Sequence, residues 1–237
     1  MVLKKFFIPK KNQGKGFTLI ELMIALAISS IVTGAVVTAF ISQRTSNVTQ
    51  TKISIMQQNL RSAANHMSRE IRMAAYDIVT DSGGITLATP TNIIFSHETD
   101  AAGTLQTFEY RLYDAYEDGD RDIGVAYGAA AITPLAENIE ALEFLYFDTD
   151  GNQTVNLNDI TTVQISILAR ADTPDENFLN STSYFPGSCT QDPPPAPMTD
   201  ACVVGTAWDF DNVADNRNAF DDRFRRRLLV TTVQLRN

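Results

Sequence analysis

From Phe17 to Ile41 the chain runs for 25 residues with a single charged side chain, Glu21, four positions in. At about 1.5 Å per residue such a run forms a helix of roughly 37 Å. That length crosses the ~30 Å hydrocarbon core of a bilayer with some tilt. The 16 residues before it carry Lys4, Lys5, Lys10, Lys11 and Lys15 and no acid, the positive excess expected on the cytoplasmic side of a first membrane segment. The expectation is a single span with the N-terminus inside and the remainder outside. A cleaved secretory signal has a similar order of charge and apolarity. Its apolar stretch is about half as long, however, and its cleavage site follows that stretch rather than preceding it.

An acid within a membrane helix costs about 2.5–3.5 kcal/mol on insertion scales and marks function unless it finds a partner. The surrounding residues, Gly16-Phe17-Thr18-Leu19-Ile20-Glu21 behind a short basic leader, resemble the class III signal of type IV prepilins and type II secretion pseudopilins. The resemblance implies cleavage after Gly16 by a prepilin peptidase, N-methylation of the new N-terminal Phe17, and an assembly role for Glu21. In that role the Phe17 amine of an incoming subunit lies beside Glu21 of its neighbour, and burial strengthens the pair. The alternative is an acid near a helix start that merely complements the macrodipole.

Beyond the span the helix is expected to continue. Ile53, Met56, Leu60, Ala63, Ala64, Met67, Ile71 and Ala74 recur by threes and fours, with Gln57, Asn59, Arg61, Arg69 and Arg72 elsewhere, so one face is meant for burial. The turn composition TDSGG follows Tyr76. The segments ITLAT, TNIIFSH, TFEYRLYDA, EALEFLYFD, ITTVQISILAR and LLVTTVQLR are rich in β-branched and aromatic residues and read as strands. The fold class expected is therefore α+β, a long N-terminal helix, membrane-spanning and then amphipathic, packed on an antiparallel β-sheet head as in pilins. The organisation expected is a leader over 1–16, a transmembrane or filament-core helix over 17–41, its amphipathic continuation over 42–77, and a head over 78–237.

Within the head, periodicity fails over 171–224. That stretch holds Cys189 and Cys202, the only cysteines, on either side of a proline-rich run. They suit a disulfide in an oxidising compartment, worth about 3 kcal/mol on the chain-entropy model. A redox or metal role has neither a CxxC spacing nor a nearby histidine behind it. A disulfide-bounded loop near the C-terminus is also a common pilin feature.

Without the leader the chain has 14 basic residues against 28 acids, so no nucleic acid is expected as a partner. The cluster Arg225-Arg226-Arg227 reads as a solvated turn balanced by Asp221 and Asp222. Two acidic stretches, DAYEDGDRD and DTDGNQTVNLND, offer Asp114, Asp118, Asp120, Asp122, Asp148, Asp150, Asn152, Asn158 and Asp159 as hard oxygen donors. Neither has the calcium-loop spacing, and Asp-Gly is an ordinary hairpin signal. His66 reads as a helix-surface residue, and His97 stands alone at a strand end. With no phosphate-binding glycine loop and no nucleophile with a histidine partner, neither catalysis nor a cofactor or metal site is expected.

PLAENIEALEFLYFDTDGN, ITTVQISILAR and RRRLLVTTVQLRN are similar to segments of PilW-like minor pilins, relatives of the J-class type II pseudopilins. This resemblance implies a minor pilin of a type IV pilus, taking part in assembly initiation or a tip complex. Its implied partners are the peptidase, other minor and major pilins, the inner-membrane assembly platform, and membrane lipid before assembly. The location implied is the bacterial inner membrane with the head in the periplasm, then the extracellular pilus. A J-class secretion pseudopilin and a pilin-anchored surface adhesin are the alternatives. At position 38, where many pilins carry a helix-bending proline, this chain has Thr, with Gly34 nearby.

Overall fold

The computed structural model describes residues 16–74, 83–117, 119–180, 184–189, 208 and 223–236. One helix, α1, runs Leu19–Arg72, and the chain divides into two compact units, one through Val48 and one from Thr49. In the first unit every described residue is exposed. Three of its hydroxyls turn inward on the helix itself: Ser30 Oγ donates to the Leu26 carbonyl at 2.8 Å, Thr38 Oγ1 to that of Gly34 at 2.9 Å, and Thr45 Oγ1 to that of Ile41 at 3.1 Å. Such back-bonding to residue i−4 satisfies a hydroxyl without an outside partner. With Thr38 in place of a proline, α1 passes Gly34 and position 38 without interruption.

In the second unit α1 buries Met56, Leu60, Ala63, Ala64, Met67 and Ile71, the stripe the spacing predicts. The helix ends at Arg72 in a tight turn, with Met73 and Ala74 donating to the carbonyls of Glu70 and Ile71 at 3.0 and 2.9 Å. Among the described residues eight strands follow: β1 Gly84–Ala88, β2 Asn92–Glu98, β3 Leu105–Tyr113, β4 Asp122–Tyr127, β5 Thr133–Ala136, β6 Ile139–Phe147, β7 Thr162–Arg170 and β8 Arg226–Gln234. They form two antiparallel sheets, β1-β2-β3-β4-β5 and β6-β7-β8, where the composition alone suggests one. β4 and β5 lie where no strand is expected.

The sheets share one core with α1: Phe95, Tyr110 and Ile123 come from the first sheet and Val163, Ile165, Ile167 and Val233 from the second. In the second sheet β7 and β8 pair in unbroken register from Thr162↔Gln234 to Arg170↔Arg226, while the β6–β7 register shifts between Ile139 and Ala141. The break between sheets falls at Asn138, whose φ of 60° turns the chain through the left-handed region that Asn tolerates better than most residues. Asp122 fixes that corner by accepting from the backbone N–H of Ala115 at 3.0 Å and of Asn138 at 3.2 Å.

Candidate assembly site and head anchors

Gly16 and Phe17 lie just outside the helix, and Phe17 is 89% exposed. Thr18 and Glu21 close the first turn reciprocally. Glu21 N donates to Thr18 Oγ1 at 3.3 Å, while Thr18 N and Oγ1 each donate to Glu21 Oε2 at 2.9 Å. This is a capping box, in which two amides left without intrahelical partners are satisfied by side chains. The Thr-x-x-Glu spacing announces it in the sequence, and Thr18 is the functional residue that reading by charge alone misses. Only Oε2 of Glu21 is engaged; among the described residues Oε1 takes no hydrogen bond.

The root of the irregular 171–224 segment is bolted to the outer face of the second sheet. Gly187 N donates to Ser166 Oγ at 2.8 Å, and Ser188 donates to Glu143 through N at 3.1 Å and Oγ at 2.5 Å. Gly187 fits because a Cβ there would meet the Gln164 amide and lie 3.2 Å from Ser166 Oγ. Tyr184 and Trp208 exchange backbone hydrogen bonds of 2.8 and 2.7 Å. Cys189 follows directly on this root; Cys202 lies outside the described residues, as does the proline-rich run.

Three expectations need correction. The Arg225–Arg227 cluster is not a solvated turn. Arg226 is 2% exposed at its side chain and grips Glu140 with both Nη2, at 2.9 Å, and Nε. Arg225 meets Asp175 at 2.8 Å and stacks over Phe178 at 4.3 Å; Asp221 and Asp222 lie outside the described residues. Arg170 joins the group, paired with Asp120, 3.7 Å from Glu140 and over the ring of Phe224. His66 is not a simple surface residue, since its ring lies 3.0 Å from Tyr110 Oη and 3.4 Å from Tyr127 Oη. Nor does His97 stand alone: it is buried, with Nε2 3.4 Å from Glu70 Oε2.

The acidic stretches use their carboxylates as turn acceptors. Asp148 accepts from the backbone of Asp150 and Asn152 at 2.9 and 2.8 Å, and Asp114 from that of Gly119 at 3.0 Å. The bonds to Asn152, Asp150 and Gly151 hold the Asp148 carboxyl below its usual range. Among the described residues no group of three potential ligands is placed to hold a metal; Asp118 lies outside them.

Two family models match the chain: the prokaryotic N-terminal methylation motif over residues 11–37 and the type IV pilus-assembly protein W family over residues 98–237, more than half of the chain. Among solved structures it is similar to the type IV-like pilin TTHA1219 from Thermus thermophilus, with 14% identity, 76% of this chain and 95% of that one covered, and a TM-score of 0.44. No curated protein gives a significant match.

Proposed function

This chain belongs to the type IV pilus-assembly protein W family and carries the methylation motif of its N-terminus, and from that premise we propose that it acts in a minor-pilin complex that initiates the pilus or caps its tip. It is a type IV minor pilin, anchored by its apolar helix and associated with the pilus. Family members are structural subunits; catalysis by this chain is no part of the proposed role. In this reading prepilin peptidase cleaves after Gly16 and Phe17 is methylated. The head stands on the periplasmic side before assembly. Its immediate partners are other minor pilins, the major pilin and the inner-membrane assembly platform.

The observation that carries the reading is the use of Glu21. Its Oε2 caps the helix through Thr18, which leaves Oε1 for the Phe17 amine of an adjoining subunit. Cap and intersubunit pair are therefore compatible, and the alternative of a purely local acid leaves half the carboxylate idle in an apolar setting. A disulfide between Cys189 and Cys202 completes the proposed head; Cys189, the cysteine among the described residues, is not a free thiol.

The test is complementation of a deletion strain. Deletion removes most pili, and the intact gene restores them. Glu21→Gln preserves an oxygen for the Thr18 cap but removes the charge, so the processed variant sits in the membrane and fails to restore piliation, as does Glu21→Ala. Pili at wild-type number in the deletion strain refute a role in initiation; restoration by Glu21→Gln refutes the ion pair.

A further inference from the structure

The chain has two histidines, and both come to one seam between the end of α1 and the first sheet. His66 presents Nδ1 to Tyr110 of β3 at 3.0 Å and Nε2 to Tyr127 of β4 at 3.4 Å. One helical turn later Glu70 meets His97 of β2, whose ring stacks on Phe108 with centroids 4.8 Å apart. We propose that this seam is an acid-sensitive latch, with the neutral His66 ring bridging two tyrosine hydroxyls as its closed state and the protonated ring releasing the end of α1 from the sheet.

The direction of each hydrogen bond follows from burial. Tyr110 has no exposed surface, so its hydroxyl proton, which burial holds on the oxygen, needs an acceptor within the seam, and among the described residues the polar atom in reach is on His66. The acceptor is Nδ1 of His66. Nε2 of the neutral ring then carries the hydrogen and donates to Tyr127. Adding a proton to Nδ1 turns the acceptor into a second donor aimed at the Tyr110 hydroxyl. A buried donor loses its partner and a charge enters a seam of aromatic rings.

Among the described residues the charged and titratable groups around His66 are Tyr110 and Tyr127 from the sheet and Arg69 and Glu70 from its own helix, with His97 and Glu98 of β2 beyond Glu70. Burial and then Arg69 oppose protonation, while Glu70 favours it; the balance lies below the ordinary histidine value. The unfolded chain therefore binds this proton more readily than the folded one. The latch contributes fully above the unfolded value of about 6.5 and its contribution is lost as pH falls through the lower folded value.

The test uses the processed full-length chain in detergent. Because there are only two histidines, a histidine-labelled sample gives two ring signals, assigned with His97→Gln. His66 is expected as the Nε2–H tautomer at pH 7.5, titrating below 6.5. In hydrogen exchange, peptides covering 60–74 and 105–127 should lose protection at pH 5 relative to pH 7.5, after correction for intrinsic rate, while β7 keeps its own. His66→Gln, which can accept from Tyr110 and donate to Tyr127 without titrating, should abolish that difference. An Nδ1–H tautomer, titration above 6.5, or a pH difference that survives His66→Gln would each overturn the proposal. The wild-type spectrum decides even where the variant fails to fold.

Discussion

Replacing Glu140 by alanine should be the most damaging single truncation of a charged side chain in the head. Its carboxylate takes two hydrogen bonds from Arg226 and lies 3.7 Å from Arg170. Arg226 is only 2% exposed, so its guanidinium cannot swing into water when the acid is gone. Breaking a buried pair in this way costs about 3–5 kcal/mol, chiefly for the charge left behind. Glu140 and Arg170 retain 15% and 17% exposure, which admits some water and places the expected loss near the lower end, about 3 kcal/mol. For a head of this size that is a drop of roughly 6–12 °C in Tm. Urea or thermal unfolding of the full chain in detergent, followed by circular dichroism and Trp208 fluorescence, measures it. Glu109→Ala is the control, because the Glu109–Arg111 pair is 28% and 46% exposed and its loss should cost under about 1 kcal/mol. The double change Glu140→Met with Arg226→Met should recover much of the stability, since neither charge remains. A Glu140→Ala protein within about 1 kcal/mol of wild type would refute the view that β8 is held by a desolvated pair.

Gly16→Val should block cleavage, and mass spectrometry of the membrane fraction should find the full-length chain instead of an N-methylated chain beginning at Phe17. Gly124→Ala should cost about 1–3 kcal/mol by overpacking, because a Cβ there would press into Ile132 and lie 2.6 Å from Tyr113 Cε1; equal melting curves would contradict it. The hydrogen bond from Arg225 depresses the Asp175 carboxyl, so its contribution is present above the unfolded value of about 3.8 and is lost as pH falls through the lower folded value. Asp175→Asn should remove that acid dependence, as measured by urea melts between pH 2 and 5.

What the sequence showed plainly was whatever depends on neighbours along the chain. The stripe from Met56 to Ile71 is visible because helical burial repeats by threes and fours. β7 is visible because Val163, Ile165 and Ile167 alternate with polar residues. β4 and β5 carry no such signal: Asp122–Tyr127 holds Gly124 and Ala126, and Thr133–Ala136 holds Pro134, so neither has the composition of a strand and both are made by pairing. Alternation along a strand reports which face is buried, not which strand lies alongside, and the division into two sheets was hidden for that reason. Arg226 and Glu140 are 86 residues apart, and His97 meets Glu70 across 27; no local pattern links either pair. At the N-terminus the proposed leader, cleavage glycine and acid and the observed Thr18–Glu21 cap fall within one short stretch, where local spacing alone can display them.

The inward-turned hydroxyls of Ser30, Thr38 and Thr45 bear on how such a helix changes surroundings. A polar group that binds lipid headgroups or water must surrender those partners when its segment is pulled from a bilayer and regain others when it enters a protein lattice. Here each hydroxyl carries its acceptor with it. A change of surroundings leaves these bonds intact, so the three hydroxyls themselves set little preference for either side. Any preference of this segment for one set of surroundings over another is therefore left to its apolar side chains and to Glu21 rather than to these three hydroxyls.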